Sequence, residues 1–178
     1  MKRWILIVCG VWWALQLPAQ WSVSKHKVTV DGTSNLRDWS VETLQIRDKI
    51  IANAAGQPQE IELWFNVKSM ESGRGAMMNQ TVRNTLKETT HPEVYFVSKN
   101  IKDDGTKLTG TGTISICGVS QNISVNANLE KQGNSWVISG TFPLTFSQFQ
   151  IKPPSALFGQ VVCDDEIKIV YSFTATKQ

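Results

Sequence analysis

Apolar and polar residues alternate along several short segments, and this alternation constrains the fold more than any other feature of the chain. In segment 61–68 every odd-numbered residue is apolar, and three of the four even-numbered residues are polar. The same period of two recurs in segments 123–129 and 167–173. Because successive side chains of a strand point to opposite faces, the pattern indicates strands with one buried face. We predict further strands at residues 25–30, 38–46, 93–100, 107–117 and 136–145.

Turn residues separate these segments at short intervals. Gly105 and Gly133 lie in segments 103–106 and 131–134, where a glycine supplies the positive φ that tight hairpins need. Segment 54–58 has the composition of another loop. Short strands at this spacing are typical of an all-β sandwich or barrel rather than of βαβ units.

One segment, residues 75–90, departs from the period of two. Met77, Met78, Val82 and Leu86 recur there at helical spacing, which predicts an amphipathic helix. The residue before a proline avoids the helical region, so the helix ends before Pro92. We therefore expect one short helical insert in an otherwise all-β chain.

The first residues have the pattern of an export signal. Lys2 and Arg3 precede an uncharged, mostly apolar run, and Ala19 offers a small residue for cleavage. The run is shorter than the roughly 20 residues of a membrane-spanning helix. We predict a signal peptide at residues 1–19, a single domain at 20–178, no stable membrane span, and a periplasmic or secreted protein.

The remaining charges and motifs point away from several function classes. The formal net charge of +3 falls close to neutrality once Lys2 and Arg3 are removed, and no basic cluster remains to bind nucleic acid. Two histidines, His26 and His91, stand without any hydrolase, metalloprotease or nucleotide-binding motif. We expect no enzyme activity, no catalytic residues, no metal site and no cofactor.

Two cysteines lie beyond the predicted signal. Cys117 and Cys163 are each placed near a strand end, in a compartment where disulfides persist. They form no C-x-x-C pair and have no histidine nearby at metal-ligand spacing. A disulfide across the barrel end and two separate buried thiols remain alternatives.

The large apolar side chains are numerous for a small domain. The interior of a barrel of about eight strands is either filled by such side chains or holds one small ligand. Methionines such as Met77 and Met78 adapt to irregular apolar partners, which suits a helix that closes over a flexible chain. The strands of both kinds of barrel show the same alternation of apolar and polar residues. A packed lumen and a lumen that holds a ligand therefore remain alternatives.

Five motifs follow one another from about Val28 onward: an entry-strand motif at residues 31–39, the helical insert at 78–86, a proline-then-aromatic strand at 91–96, a glycine-containing hairpin strand at 108–120 and a late loop at 149–154. In this order they resemble the YceI-like lipid/polyisoprenoid-binding family, in its divergent branch. Arg37 stands where this branch often has histidine, and Cys117 where histidine or alanine is usual.

The resemblance implies an extended lipocalin-like antiparallel β-barrel that binds a long apolar lipid, a polyisoprenoid or a fatty lipid, in its lumen. A carrier or sequestering protein of this kind is non-catalytic. We expect the lumen to be lined by Trp39, Leu63, Phe65, Met78, Val82, Leu86, Phe96 and Phe146. The alternative is a structural or interaction barrel with a packed lumen and no ligand, which could assemble, for example as a homodimer, through exposed Trp64 or Trp136.

Overall fold

The computed structural model describes residues 19–178, which fold almost entirely as antiparallel strands. Residues 1–18 of the predicted signal peptide lie outside the described residues, which begin at its last position. The strands are β1 (Ala19–Ser34), β2 (Trp39–Thr43), β3 (Ile46–Ala52), β4 (Pro58–Asn66), β5 (Met70–Glu71), β6 (Glu93–Asp103), β7 (Lys107–Ile116), β8 (Val119–Gln132), β9 (Ser135–Thr145), β10 (Ser155–Ala156) and β11 (Val161–Lys177). The helix α1 (Ala76–Thr85) lies between β5 and β6, and short helical turns occupy Val67–Ser69 and Ser147–Phe149. An irregular turn at Leu157–Gly159 contains Phe158 and Gly159 at positive φ.

Eight of the strands close into a barrel. Neighbouring strands follow the order β3, β4, β6, β7, β8, β9 and β11, and β1 pairs with both β3 and β11 to complete the ring. The short strands β2, β5 and β10 extend this ring at its margins. The predicted fold class, an antiparallel barrel of about eight strands with one short helix, is confirmed.

The predicted single strand at 38–46 is wrong, because the chain forms two strands there. β2 pairs with the segment of β1 at Thr29–Gly32, whereas β3 pairs with its beginning, at Ala19–Trp21. The chain turns between them at Leu44 and Gln45, whose backbone N–H groups donate to the carbonyl and hydroxyl oxygens of Ser69. Neither glycine nor proline marks this turn, so the local sequence carries no signal for it.

Two hairpins form where the glycines predict them. β6 and β7 are joined through residues 104–106, and the Asp104 carboxylate accepts from the backbone N–H groups of Thr106 and Lys107, which holds its pKa below the usual range. β8 and β9 are joined through Gly133 and Asn134. A further turn at Cys117 and Gly118, both at positive φ, ends β7 one residue earlier than predicted.

The helix is shorter than the predicted 75–90 and covers one end of the barrel. After Thr85 the chain leaves helical geometry, and Lys87 has a φ of 53°. Met78 faces the barrel, whereas Met77 is 87% exposed, so the methionine pair is divided between lumen and solvent. Across residues 19–178 we find no helix with both the length and the apolar character to traverse a bilayer.

The opposite end of the barrel is closed by two stacked indole rings. The rings of Trp21 on β1 and Trp136 on β9 lie 3.4 Å apart between centroids, and both are buried with Leu129 and Ala175. The interpretation of Trp136 as an exposed assembly residue is therefore wrong, because only 3% of it is exposed. Trp64 is half-buried on the outer wall, where it packs against Tyr95 and under the Arg47 guanidinium.

Candidate functional site

The barrel interior contains two adjoining cavities. One, of about 120 Å³, lies beneath α1, and the other, of about 330 Å³, occupies the middle of the barrel. Four apolar side chains line both cavities, and we call this shared boundary the waist: Val28, Phe65, Ile114 and Ile169. The two cavities therefore have one stretch of apolar wall in common.

The cavity beneath the helix has an apolar wall supplied by distant parts of the chain. Trp39 enters it from β2, and Phe146 follows β9, with the two rings 6.3 Å apart between centroids. Val82 and Leu86 cover it from α1 and the turn after α1. Trp39 is held in place by its indole N–H, which donates to the Thr33 carbonyl oxygen at 3.0 Å.

The central cavity contains few polar atoms. Ser98, 1% exposed, directs its hydroxyl to the Thr111 carbonyl oxygen at 2.8 Å, so its polar group is already satisfied within the wall. Tyr171 packs against Phe173, and burial raises the pKa of its phenol, which therefore stays protonated at neutral pH. Neither residue brings a charge into the lumen.

All eight side chains predicted to line the lumen do line one of the cavities. Trp39, Met78, Val82, Leu86 and Phe146 surround the cavity beneath the helix. Leu63 and Phe96 line the central cavity, and Phe65 lies at the waist. The structure brings them together as walls; that they contact a ligand stays a prediction.

Sequence reasoning missed most of the aliphatic lining. Ile114 and Ile116 on β7, Ile167 and Ile169 on β11, and Val28 on β1 all face the cavities. Their signal was present, because each lies at an inward position of a segment predicted to be a strand. Emphasis on aromatic and methionine side chains left these positions out, although the period of two identifies them equally well.

Cys117 and Cys163 are free thiols, so the structure contains no disulfide between them. Cys117 is buried in the β7–β8 turn, where its thiol lies 3.8 Å from the Thr85 carbonyl oxygen. Cys163 lines the cavity beneath the helix. Burial raises the pKa of both thiols, which keeps them in the less reactive protonated form.

Among the described residues, no charged side chain lines either cavity, and several charged groups form ion pairs outside the lumen. Glu62 accepts a hydrogen bond from Lys49 at 2.7 Å and another from the Tyr95 hydroxyl at 2.6 Å, and these contacts lower its pKa to about 2. Asp164 and Asp165 accept from Thr33 and Ser147. Within residues 19–178, histidine, cysteine and carboxylate side chains form no group of three that could hold a metal ion.

The sequence matches a protein-family model, and the fold matches solved structures. The family model, described as YceI-like domain, matches residues 14–175. No curated protein matches the chain.

Among solved structures, BcnA from Burkholderia cenocepacia is 20% identical with a TM-score of 0.70, over 85% of this chain and 96% of that one. A polyisoprenoid binding domain from Saccharophagus degradans, implicated in plant cell wall breakdown, is 9% identical with a TM-score of 0.71, over 90% and 98% of the two chains. The Campylobacter jejuni YceI protein is 16% identical with a TM-score of 0.64, over 78% and 84%. At these identities the structural likeness establishes the fold alone.

Proposed function

Because the chain belongs to the YceI-like domain family, we propose that it binds a long apolar lipid, such as a polyisoprenoid, inside its barrel. The observation that carries the proposal is the pair of adjoining cavities with apolar walls. The domain from Saccharophagus degradans, which shares the fold, is described as polyisoprenoid binding. That description supports the same class of ligand for this chain.

The size of the lumen suits an apolar chain. An apolar protein cavity of about 150 Å³ stays dry and takes up a small hydrocarbon, whereas small-molecule sites run from roughly 300 to 1,000 Å³. The central cavity, at about 330 Å³, lies at the lower end of that range. Each methylene that enters contributes about 0.8 kcal/mol, so a modest length of chain offsets the cost of association without polar contacts.

The protein acts, in this proposal, as a non-catalytic carrier or sequestering protein. The lumen offers side chains that exclude water and no charged group that could transfer a proton, as the lining of both cavities indicates. We further propose export through the segment at residues 1–19, whose pattern is that of a cleaved signal. Extraction of a lipid from a membrane and its delivery elsewhere would then take place outside the cytoplasm.

Native mass spectrometry of the purified protein tests the binding proposal. We expect an added mass that is lost after organic extraction, and an extract that contains a long apolar lipid. The emptied protein should then bind cis-parinaric acid, a fluorescent polyene fatty acid, with one site per chain. A protein that carries no lipid and takes up none of this probe would instead support the structural barrel.

A further inference from the structure

The wall between β8 and β9 is hydrogen-bonded along only part of its length. β8 begins at Val119 and β9 ends at Thr145, yet their pairing runs only from Asn128 opposite Ser139 to the hairpin turn. Beyond Asn128, β8 stays paired with β7, and beyond Ser139, β9 stays paired with β11. The two strands therefore separate and leave a slit in the barrel wall.

The sequence of β9 explains why the ladder stops. Continuing the register places residues 141, 143 and 145 as the positions whose backbone groups would face β8. Pro143 has no N–H to donate, and the Thr145 N–H already donates to the Gln148 side chain at 3.0 Å. This edge of β9 thus has two of its three donors removed or occupied, and it is protected from pairing.

The slit is bounded at both ends and leads into the central cavity. At one end lies the hairpin ladder, and at the other the Gln121 side-chain amide donates to the Gln148 carbonyl oxygen at 2.7 Å. The exposed side chains on its two edges are also part of the central cavity's lining: Ser124, Asn126, Thr141 and Pro143. Inside them, Val125 and Phe142 are only half-buried, although their positions face the lumen.

A glycine lets an aromatic ring pack beside the slit. At Gly140 a Cβ atom would lie 2.7 Å from the Tyr171 hydroxyl oxygen and 3.5 Å from the Asn126 carbonyl oxygen. The absence of a side chain at this position leaves room for the Tyr171 ring beside the point where the strands part. Pro143 thus lies on the β9 edge of the slit, Gly140 lies where the strands part, and the hydrogen bond from Gln121 to Gln148 closes the far end.

We propose that this slit is a lateral portal through which the apolar chain of the ligand enters and leaves the lumen, an inference that rests on the proposed lipid binding. The stacked rings of Trp21 and Trp136 close one end of the barrel, and α1 covers the other. A chain that passes sideways between β8 and β9 breaks no backbone hydrogen bonds, whereas passage between any fully paired strands must break several.

A reversible bridge across the slit tests the portal. In Asn126→His/Thr141→His, the two imidazoles stand on opposite edges of the slit and can share a Ni²⁺ ion. The matched control, Thr109→His/Asn126→His, keeps one of these imidazoles and pairs it across β7 and β8, where the residues are already direct neighbours in the ladder. Uptake and release of cis-parinaric acid are followed by stopped-flow fluorescence with Ni²⁺ and after its removal by EDTA, with the native sequence as the background for His26 and His91.

We expect Ni²⁺ to slow uptake and release by the slit pair about tenfold each, so that the dissociation constant changes little, because a blocked route alters both rates alike. The control pair should show no change in either rate. Calorimetry establishes that the slit pair holds the metal. Unchanged rates in the metal-loaded slit pair would overturn the portal.

Pro143→Val carries the same test without a metal. The valine returns an N–H to the β9 edge opposite Ser124, so extension of the ladder should slow both rates. If the slit pair binds no Ni²⁺, the test rests on Pro143→Val alone. Unchanged rates of uptake and release in this variant would then overturn the proposal. The rates of uptake and release do not test the proposed function, which requires only that the unmodified protein binds cis-parinaric acid. If the unmodified protein does not bind this probe, both the proposed function and the portal are wrong.

Discussion

The waist between the two cavities offers a direct measurement of how much of the lumen a ligand uses. Ile114 lines both cavities and is 5% exposed. In Ile114→Phe the larger side chain occupies the passage between them. A bound chain should then be confined to one cavity, whereas in the unmodified protein it can extend through both.

The expected magnitude follows from the burial of methylene groups. Each one contributes about 0.8 kcal/mol, so affinity for unbranched alkanols should rise about fourfold per added carbon until the lumen is full. In Ile114→Phe the slope should be the same, but affinity should stop rising at a shorter chain. If the variant excludes about four methylenes, the longest alkanols should bind on the order of 200-fold more weakly than to the unmodified protein.

Displacement of cis-parinaric acid by the alkanol series measures these affinities. Thr111→Phe is the matched control, since it adds a similar bulk to the same strand at an exposed position. Urea unfolding of both variants establishes that they are folded. The reasoning is refuted if the affinity of Ile114→Phe levels off at the same chain length as that of the unmodified protein, or if affinity does not depend on chain length.

Two further substitutions test the walls of the barrel. Gly32→Ala places a Cβ atom in steric overlap with the Trp39 ring. We therefore expect displacement of that ring and a loss of about 1–3 kcal/mol in the free energy of unfolding, measured in urea. In the control, Gly110→Ala, the nearest atom is 3.7 Å from the added Cβ, so the free energy of unfolding should change much less. Glu62→Gln removes a carboxylate whose pKa is lowered from 4.5 to about 2, first by its hydrogen bond from Lys49. Because the folded pKa is the lower one, this carboxylate stabilises the protein above pH 4.5, and its contribution is lost as the pH falls towards 2. The difference in unfolding free energy between the two proteins should therefore shrink over that interval, and a constant difference would contradict the assignment.

Much of the barrel follows from local sequence, because strand faces and tight turns are local properties. The alternation in 61–68 and 167–173 identifies the inward side chains of β4 and β11, since a strand side chain has only two directions to take. Gly105 and Gly133 mark their hairpins because few residues adopt positive φ at low cost. Six of the eight predicted lining residues also belong here, as each lies on the apolar face of its strand or helix, whereas Leu86 and Phe146 come directly after α1 and β9.

Other features depend on strands that are distant along the chain. The division of 38–46 into β2 and β3 follows from their pairing with different parts of β1, which no local pattern encodes. The local sequence does not show that Trp136 is buried, because the ring that stacks on it belongs to Trp21, over a hundred residues away. Both cases are decided by a partner that the local sequence does not specify.

The alternation of residues by itself determined which side chains face inward, and the turn residues determined where most hairpins form. Only the tertiary structure decided that these inward side chains leave two cavities, a waist at Ile114 and a slit between β8 and β9. The physical reason is that the direction of a side chain, inward or outward, is set by the position of its residue in the strand. The volume left inside a barrel and the length over which two strands stay paired depend instead on the closure and register of the whole sheet.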